Sequence, residues 1–151
     1  MPVVPPVKPY ITALLRLIIF TLFSANAWAS NTEIKSPEHI DGVTKIGAEG
    51  MIELIDQFEN IVIVDSRIPG DRHKGYIESS VSLPDTKTTC TTLAKVIPAK
   101  TTPALFYCNG IKCGRSAVAI KIAKKCGYQE LYWFRGGFEV WLEKGFPYIQ
   151  N

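Results

Sequence analysis

The chain has 151 residues, of which 46% are hydrophobic, 11% aromatic and 21% charged, enough for one globular domain and outside the range of disordered or fibrous chains. Lys plus Arg is 17 against 14 for Asp plus Glu, a net charge of +3, but Lys8 and Arg16 fall in the first 16 residues and the remainder is close to neutral. No basic stripe or run is present, so nucleic acid is not an expected partner, and four cysteines are too few for a disulfide scaffold.

Residues 1–29 read as a secretory signal. Lys8 and Arg16 precede the apolar run Leu17 to Phe23, and Ala27-Trp28-Ala29 supplies small residues at both positions of an A-x-A cleavage site. The alternative is an uncleaved anchor, because Tyr10 to Ala29 is long enough to span hydrocarbon; Arg16 inside it and the weakly apolar Ser24 to Ser30 weigh against that. Either way the rest of the chain is expected outside the cytoplasm, in the periplasm of a Gram-negative source. Cleavage predicts a mature chain starting at Ser30 with no stable membrane insertion. Residues 30–42, polar and carrying Pro37, read as a linker, and residues 43–151 as the folded domain.

Val43 to Ile46 alternates as a short strand. Met51, Leu54, Ile55 and Phe58 then stand at i, i+3, i+4 and i+7, one face of a helix that Asn60 ends. Ile61 to Val64 is a continuous β-branched run, as expected of a strand buried on both faces, with Asp65 at its end. Pro69-Gly70 marks a turn, Val81 to Leu83 a third strand stopped by Pro84, and Thr91 to Ile97 a short helix. Ala104 to Tyr107 is another buried strand. Ala119, Ile122, Ala123 and Cys126 form a second helical face closed by Gly127; Leu131 to Phe134 is a strand; Phe138, Trp141 and Leu142 suit a last helix stopped by Gly145 and Pro147. Such alternation predicts an α/β fold with a mostly parallel sheet, and in such sheets ligands sit off the carboxyl ends of strands. Asp65 and Cys108 are both at such ends.

The segment with chemistry is Cys108-Asn109-Gly110-Ile111-Lys112-Cys113-Gly114-Arg115-Ser116. A thiol follows a strand, two glycines let the loop curl, and a helix begins with Ser116 as its expected cap. Loop amides, Lys112 and Arg115 would form an anion cradle that favours thiolate over thiol at Cys108. The plainer alternative is an ordinary buried cysteine at a strand end. Cys126, on an apolar helix face, is expected to be inert core, and Cys90 sits in a Thr-rich stretch without a clear pattern. Four cysteines without clustered histidines make no zinc spacing, so no metal is expected.

Three blocks in order make residues 43–148 resemble the rhodanese-like sulfurtransferase domain: Ile63 to Arg67 with Gly75-Tyr76-Ile77 and Ser82-Leu83-Pro84; the Tyr107-Cys108 loop; and Gly136 to Trp141 with Gly145-Phe146-Pro147. The resemblance implies a five-stranded, mostly parallel sheet flanked by helices on both faces, without a cofactor. It also implies that Cys108 accepts a sulfane sulfur as a persulfide from a small anionic donor such as thiosulfate. The acceptor would be a thiol, a cyanide-like nucleophile or a periplasmic redox protein. Cys108 and Arg115 are then catalytic, the cradle of Asn109, Gly110, Ile111, Lys112, Cys113, Gly114 and Ser116 binds the anion, and Asp65 and Arg67 are structural support. The chain departs from the family pattern in a loop about two residues longer, similar to a subgroup with a Cys-Asn-Gly-x-x-Cys loop, and in Tyr76 where the family has His.

Two roles for Cys113 stand: filler of the loop, or a resolving thiol that attacks the Cys108 persulfide, releases sulfide and leaves a disulfide. Rival functions are a dithiol redox protein using Cys108 and Cys113, a phosphatase- or arsenate-reductase-like enzyme on the same fold, and a non-catalytic binding module.

Overall fold

The computed structural model describes residues 1–3 and 35–150. The chain divides into two compact units, Met1–Thr32 and Glu33–Asn151, and all of the elements described belong to the second. All but the first three residues of the expected signal segment, together with its cleavage motif and the first part of the linker, lie outside the described residues.

Five strands form one parallel sheet: β1 (Thr44–Ile46), β2 (Val62–Asp65), β3 (Val81–Ser82), β4 (Ala104–Tyr107) and β5 (Leu131–Phe134), in the order β1-β5-β4-β2-β3. Among the described residues five α-helices accompany them: α1 (Ala48–Gln57), α2 (Pro69–Arg72), α3 (Cys90–Val96), α4 (Arg115–Lys125) and α5 (Gly137–Glu143). The strand runs named from sequence are strands, and their composition explains the layering. Successive side chains on a strand point to opposite faces. Ala104 and Phe106 of β4 join Val64, Leu131 and Trp133 in a core covered by Leu93, Ile97, Ala117, Ala119, Ile120 and Ala123 of the α3–α4 side. Leu105 and Tyr107 join Ile63 and Phe134 in a second core, covered by Ala48, Met51 and Leu54 of α1 and by Phe138 and Trp141 of α5. Every residue of β4 is buried.

Four local expectations change. Pro69-Gly70 is not a bare turn but opens α2, with Pro at the first helical position where its missing N–H costs nothing. The Thr-rich stretch is ordered by a reciprocal cap: the Thr89 hydroxyl accepts from the Thr92 N–H at 3.1 Å and the Thr89 N–H donates to the Thr92 hydroxyl at 2.8 Å. Cys126 is not an inert free thiol and Cys90 is not without a role. The two form a disulfide with Cα atoms 5.4 Å apart, tying α3 to the end of α4. Finally, Ser116 does not cap α4. The cap position is Gly114, with no side-chain hydrogen bond, and the Ser116 hydroxyl instead accepts from Trp133 Nε1 at 3.0 Å.

The register brings the three sequence blocks together. Asp65 of β2 pairs with Tyr107 of β4, and Tyr107 with Phe134 of β5. The carboxyl ends of three adjacent strands are therefore level, and the segments that leave them converge on one rim of the sheet.

Candidate active site

Cys108 leaves β4 at the centre of that rim and is buried, 2% exposed. The loop after it is held from both sides. The Ser66 N–H donates to the Tyr107 carbonyl at 3.0 Å. At the start of α5 the Phe138 N–H donates to the Cys108 carbonyl at 2.9 Å and the Glu139 N–H to the Asn109 carbonyl at 2.7 Å. Gly137 makes this approach possible: it has φ +62, and a Cβ there would lie 2.8 Å from the Asn109 carbonyl oxygen. Gly110 packs against the Glu139 carboxylate, which would have to swing aside for a side chain there. The Cys113 N–H closes the turn onto the Gly110 carbonyl at 2.9 Å.

This curl places Cys108 and Cys113 in a disulfide, Cα atoms 6.1 Å apart and within the span such a bond needs. With Cys90–Cys126 it engages all four cysteines. Ile111 and Lys112 at the loop tip are exposed, Cys113 is half-buried, and Gly114 leads into α4. The first turn of α4 presents amides that have no partner within the helix, a ready anion site.

The charged residues named from sequence take different places. Arg115 Nη1 donates to Asp85 Oδ1 at 2.8 Å, so its charge is shared with a buried carboxylate beside the loop. Asn109 Nδ2 donates to Asp71 Oδ2 at 2.8 Å. Asp65 and Arg67 are both buried and pair with each other. Arg67 Nε and Nη2 reach the two Asp65 oxygens at 2.9 and 2.7 Å, and Nη2 also reaches the Gly75 carbonyl at 2.8 Å. Arg72 Nη1 and the Tyr107 hydroxyl add bonds to Asp65 Oδ2 at 2.9 and 2.8 Å. The Arg67 guanidinium lies over the Phe138 ring, 4.3 Å from its centroid. The network thus joins all three blocks below Cys108. Burial pushes the Asp65 carboxyl up, but hydrogen bonds and charge from Arg67, with the Tyr107 hydroxyl, more than offset this and hold it below the ordinary Asp value. Burial first, and then the Asp65 charge, push the Tyr107 phenol well above its usual value, so it stays a donor.

Tyr76, at the position of the family's His, is covered by Arg72, whose guanidinium lies 3.7 Å from the ring centroid. Asp71 and Asp85 were not singled out from sequence; each is a single acid in a turn-rich stretch, and only the fold sets it against the loop. Among the described residues no cluster of three or more His, Cys, Asp or Glu is placed to hold a metal ion, and no helix is long and apolar enough to cross a membrane.

A parallel sheet whose central strand delivers a cysteine into a curled loop at a helix N-terminus defines a class of α/β domains with a strand-end thiol. Residues 48–144 match the model of the rhodanese-like domain, and the chain belongs to that family. Its fold is shared with solved structures at low identity. A rhodanese-related protein from Thermoplasma volcanium is 22% identical with a TM-score of 0.57, over 72% of this chain and 99% of that one. The polysulfide-sulfur transferase homodimer of Wolinella succinogenes is 20% identical with a TM-score of 0.61, over 73% and 80%. A thiosulfate sulfurtransferase from Pseudomonas aeruginosa is 19% identical with a TM-score of 0.61, over 72% of this chain but only 20% of that one. No curated protein sequence matches the chain significantly.

Proposed function

We propose that the chain is a sulfurtransferase or persulfide carrier acting outside the cytoplasm, with Cys108 as nucleophile and Cys113 as its resolving thiol. The observation that carries this reading is the Cys108–Cys113 disulfide in the loop at the end of β4. Once the pair is reduced, the Cys108 thiolate attacks the sulfane sulfur of a small anionic donor. With thiosulfate, the S–S bond breaks, sulfite leaves and Cys108 carries a persulfide. The α4 amides and the basic residues Lys112 and Arg115 favour these anions. Two exits follow. An acceptor thiolate or cyanide can take the outer sulfur directly and restore the Cys108 thiolate. Alternatively the Cys113 thiolate attacks Cys108 Sγ, a proton is taken up and hydrosulfide leaves. The two electrons that reduce the sulfane sulfur come from the thiol pair, which ends as the disulfide. A dithiol reductant then has to reopen it.

Location outside the cytoplasm is supported by residues 1–29 and by the second disulfide, Cys90–Cys126, because such bonds persist in oxidising compartments. The dithiol redox reading draws on the same Cys108–Cys113 bond, and one experiment separates the two. The protein is reduced, freed of reductant and treated with thiosulfate, and its intact mass is measured with the modified peptide mapped. Sulfur gained on Cys108, or sulfide released as the disulfide re-forms, is the expected result, and Cys113→Ser is expected to hold the sulfur on Cys108. A protein that re-forms its disulfide with oxidants but neither gains sulfur in Cys113→Ser nor releases sulfide from thiosulfate is a dithiol redox protein.

A further inference from the structure

Beside the loop lies a cavity of about 460 Å³ lined by Lys35, Ser36, Glu38, Ile111, Lys112 and Arg135. That volume is in the range of small-molecule sites. Ile111 and Lys112 lie between the two cysteines in sequence, and Lys35 pairs with Cys113 through an isolated antiparallel bridge, so the cavity adjoins the Cys113 end of the disulfide. Its charge is uneven. Arg135 is held by Glu38 at 2.6 Å and by the Pro37 carbonyl at 2.8 Å, whereas no ion pair neutralises Lys35 or Lys112 among the described residues. Ser36 is buried, 7% exposed. Two uncompensated cations and the apolar Ile111 describe a site for a small organic anion.

We propose that this cavity seats a low-molecular-weight thiol bearing two carboxylates, which reopens the disulfide by attack at Cys113. The proposal rests on reading Cys108–Cys113 as a bond that opens and closes in turnover. Exposure decides the sulfur attacked. Cys113 is half-buried and Cys108 buried, so an incoming thiolate reaches Cys113 Sγ and expels the Cys108 thiolate. The Sγ–Sγ bond breaks and a mixed disulfide forms on Cys113. A second thiolate then attacks the sulfur of the bound thiol, releasing it as a symmetric disulfide and leaving Cys113 reduced. Two external thiols are oxidised and one protein disulfide is reduced; the thiol protons end on solvent or on the two cysteines.

The test is the opening rate of the oxidised full-length protein, followed by quenched alkylation and peptide mapping, with mercaptosuccinate as the dicarboxylate thiol and cysteamine as the cationic one. Expressed per thiolate, mercaptosuccinate is expected to react about tenfold faster at low salt, with the advantage fading as salt screens the lysines. The trapped adduct is expected on Cys113, and Lys35→Ala with Lys112→Ala is expected to remove the preference. Equal rates at all salt concentrations, or an adduct on Cys108, overturn the proposal whether or not the double variant folds. Sulfur transfer from thiosulfate is scored separately, as persulfide on reduced Cys113→Ser and as sulfide released by reduced wild type. Thiol preference without either supports the cavity and sinks sulfur transfer; sulfur transfer without thiol preference sinks the cavity alone.

Discussion

Asp65 carries a negative charge with no exposed surface, and the energy of the rim depends on keeping it paired. Removing one partner of such a pair leaves a buried charge, so Arg67→Ala is expected to cost about 3–5 kcal/mol in urea unfolding. The carboxyl's own titration gives a pH signature. Its folded-state pKa is depressed, so below the ordinary Asp value the unfolded chain takes up a proton that the folded chain does not. The stabilisation is therefore complete at neutral pH and lost as pH falls from about 4 through the folded-state value. Unfolding free energies of wild type and Asp65→Asn should converge over that acidic window; a constant difference would show that the Asp65 charge is not what the network stabilises. Cys108 contributes differently. Cys108→Ser is expected to keep the sheet and both cores, because the residue lies past the end of β4, while abolishing persulfide formation. A wild-type thiosulfate:cyanide rate in that variant would move the nucleophile to Cys113.

The loop and its neighbours act as elements rather than as single residues. Gly137→Ala puts a side chain on a φ of +62 and against the Asn109 carbonyl. The backbone alone costs about 1–2 kcal/mol, and the loop must also move off α5, so stability and sulfur transfer should fall together. Loss of one without the other would separate α5 from the loop. At this scale the sequence is most legible where a local period carries the information. The β-branched run of β2, the apolar run of β4 and the 3.6-residue face of α1 each identify their element, and strand-end placement is enough to pick out Cys108. What escapes is set by tertiary contact. Asp71 and Asp85 meet the loop only because α2 and the turn Asp85–Lys87 pack against its base. Ser116 has the composition and spacing of a cap, yet the Trp133 indole needs an acceptor in the core and takes its hydroxyl. Cys90 and Cys126 are 36 residues apart, with nothing local to link them.

Across the whole molecule, the two disulfides enclose very different lengths of chain. In the chain-entropy account, closing the span between Cys90 and Cys126 restricts the unfolded state by about 4 kcal/mol, against about 2 kcal/mol for the short Cys108–Cys113 ring. The first is therefore the larger staple, and stability under reducing conditions should track Cys90–Cys126. The paired variant Cys90→Ser with Cys126→Ser should lose most of the reduction-sensitive stability while still taking up sulfur at Cys108. This ties the fold's stability to the redox state of its surroundings, since a reducing cytoplasm would remove the staple. Export and oxidation should therefore go together. Protein recovered from its native host is expected to begin at Ser30, after the Ala27-Trp28-Ala29 site, and to resist alkylation at Cys90 and Cys126 until reduced. A chain lacking residues 1–29 and made in a reducing cytoplasm should alkylate at all four cysteines and unfold at lower urea. Intact mass after alkylation, with and without prior reduction, reads both properties in one measurement. Met1 retained on soluble protein, or Cys90 and Cys126 freely alkylated in the native host, would overturn the assignment to an oxidising compartment.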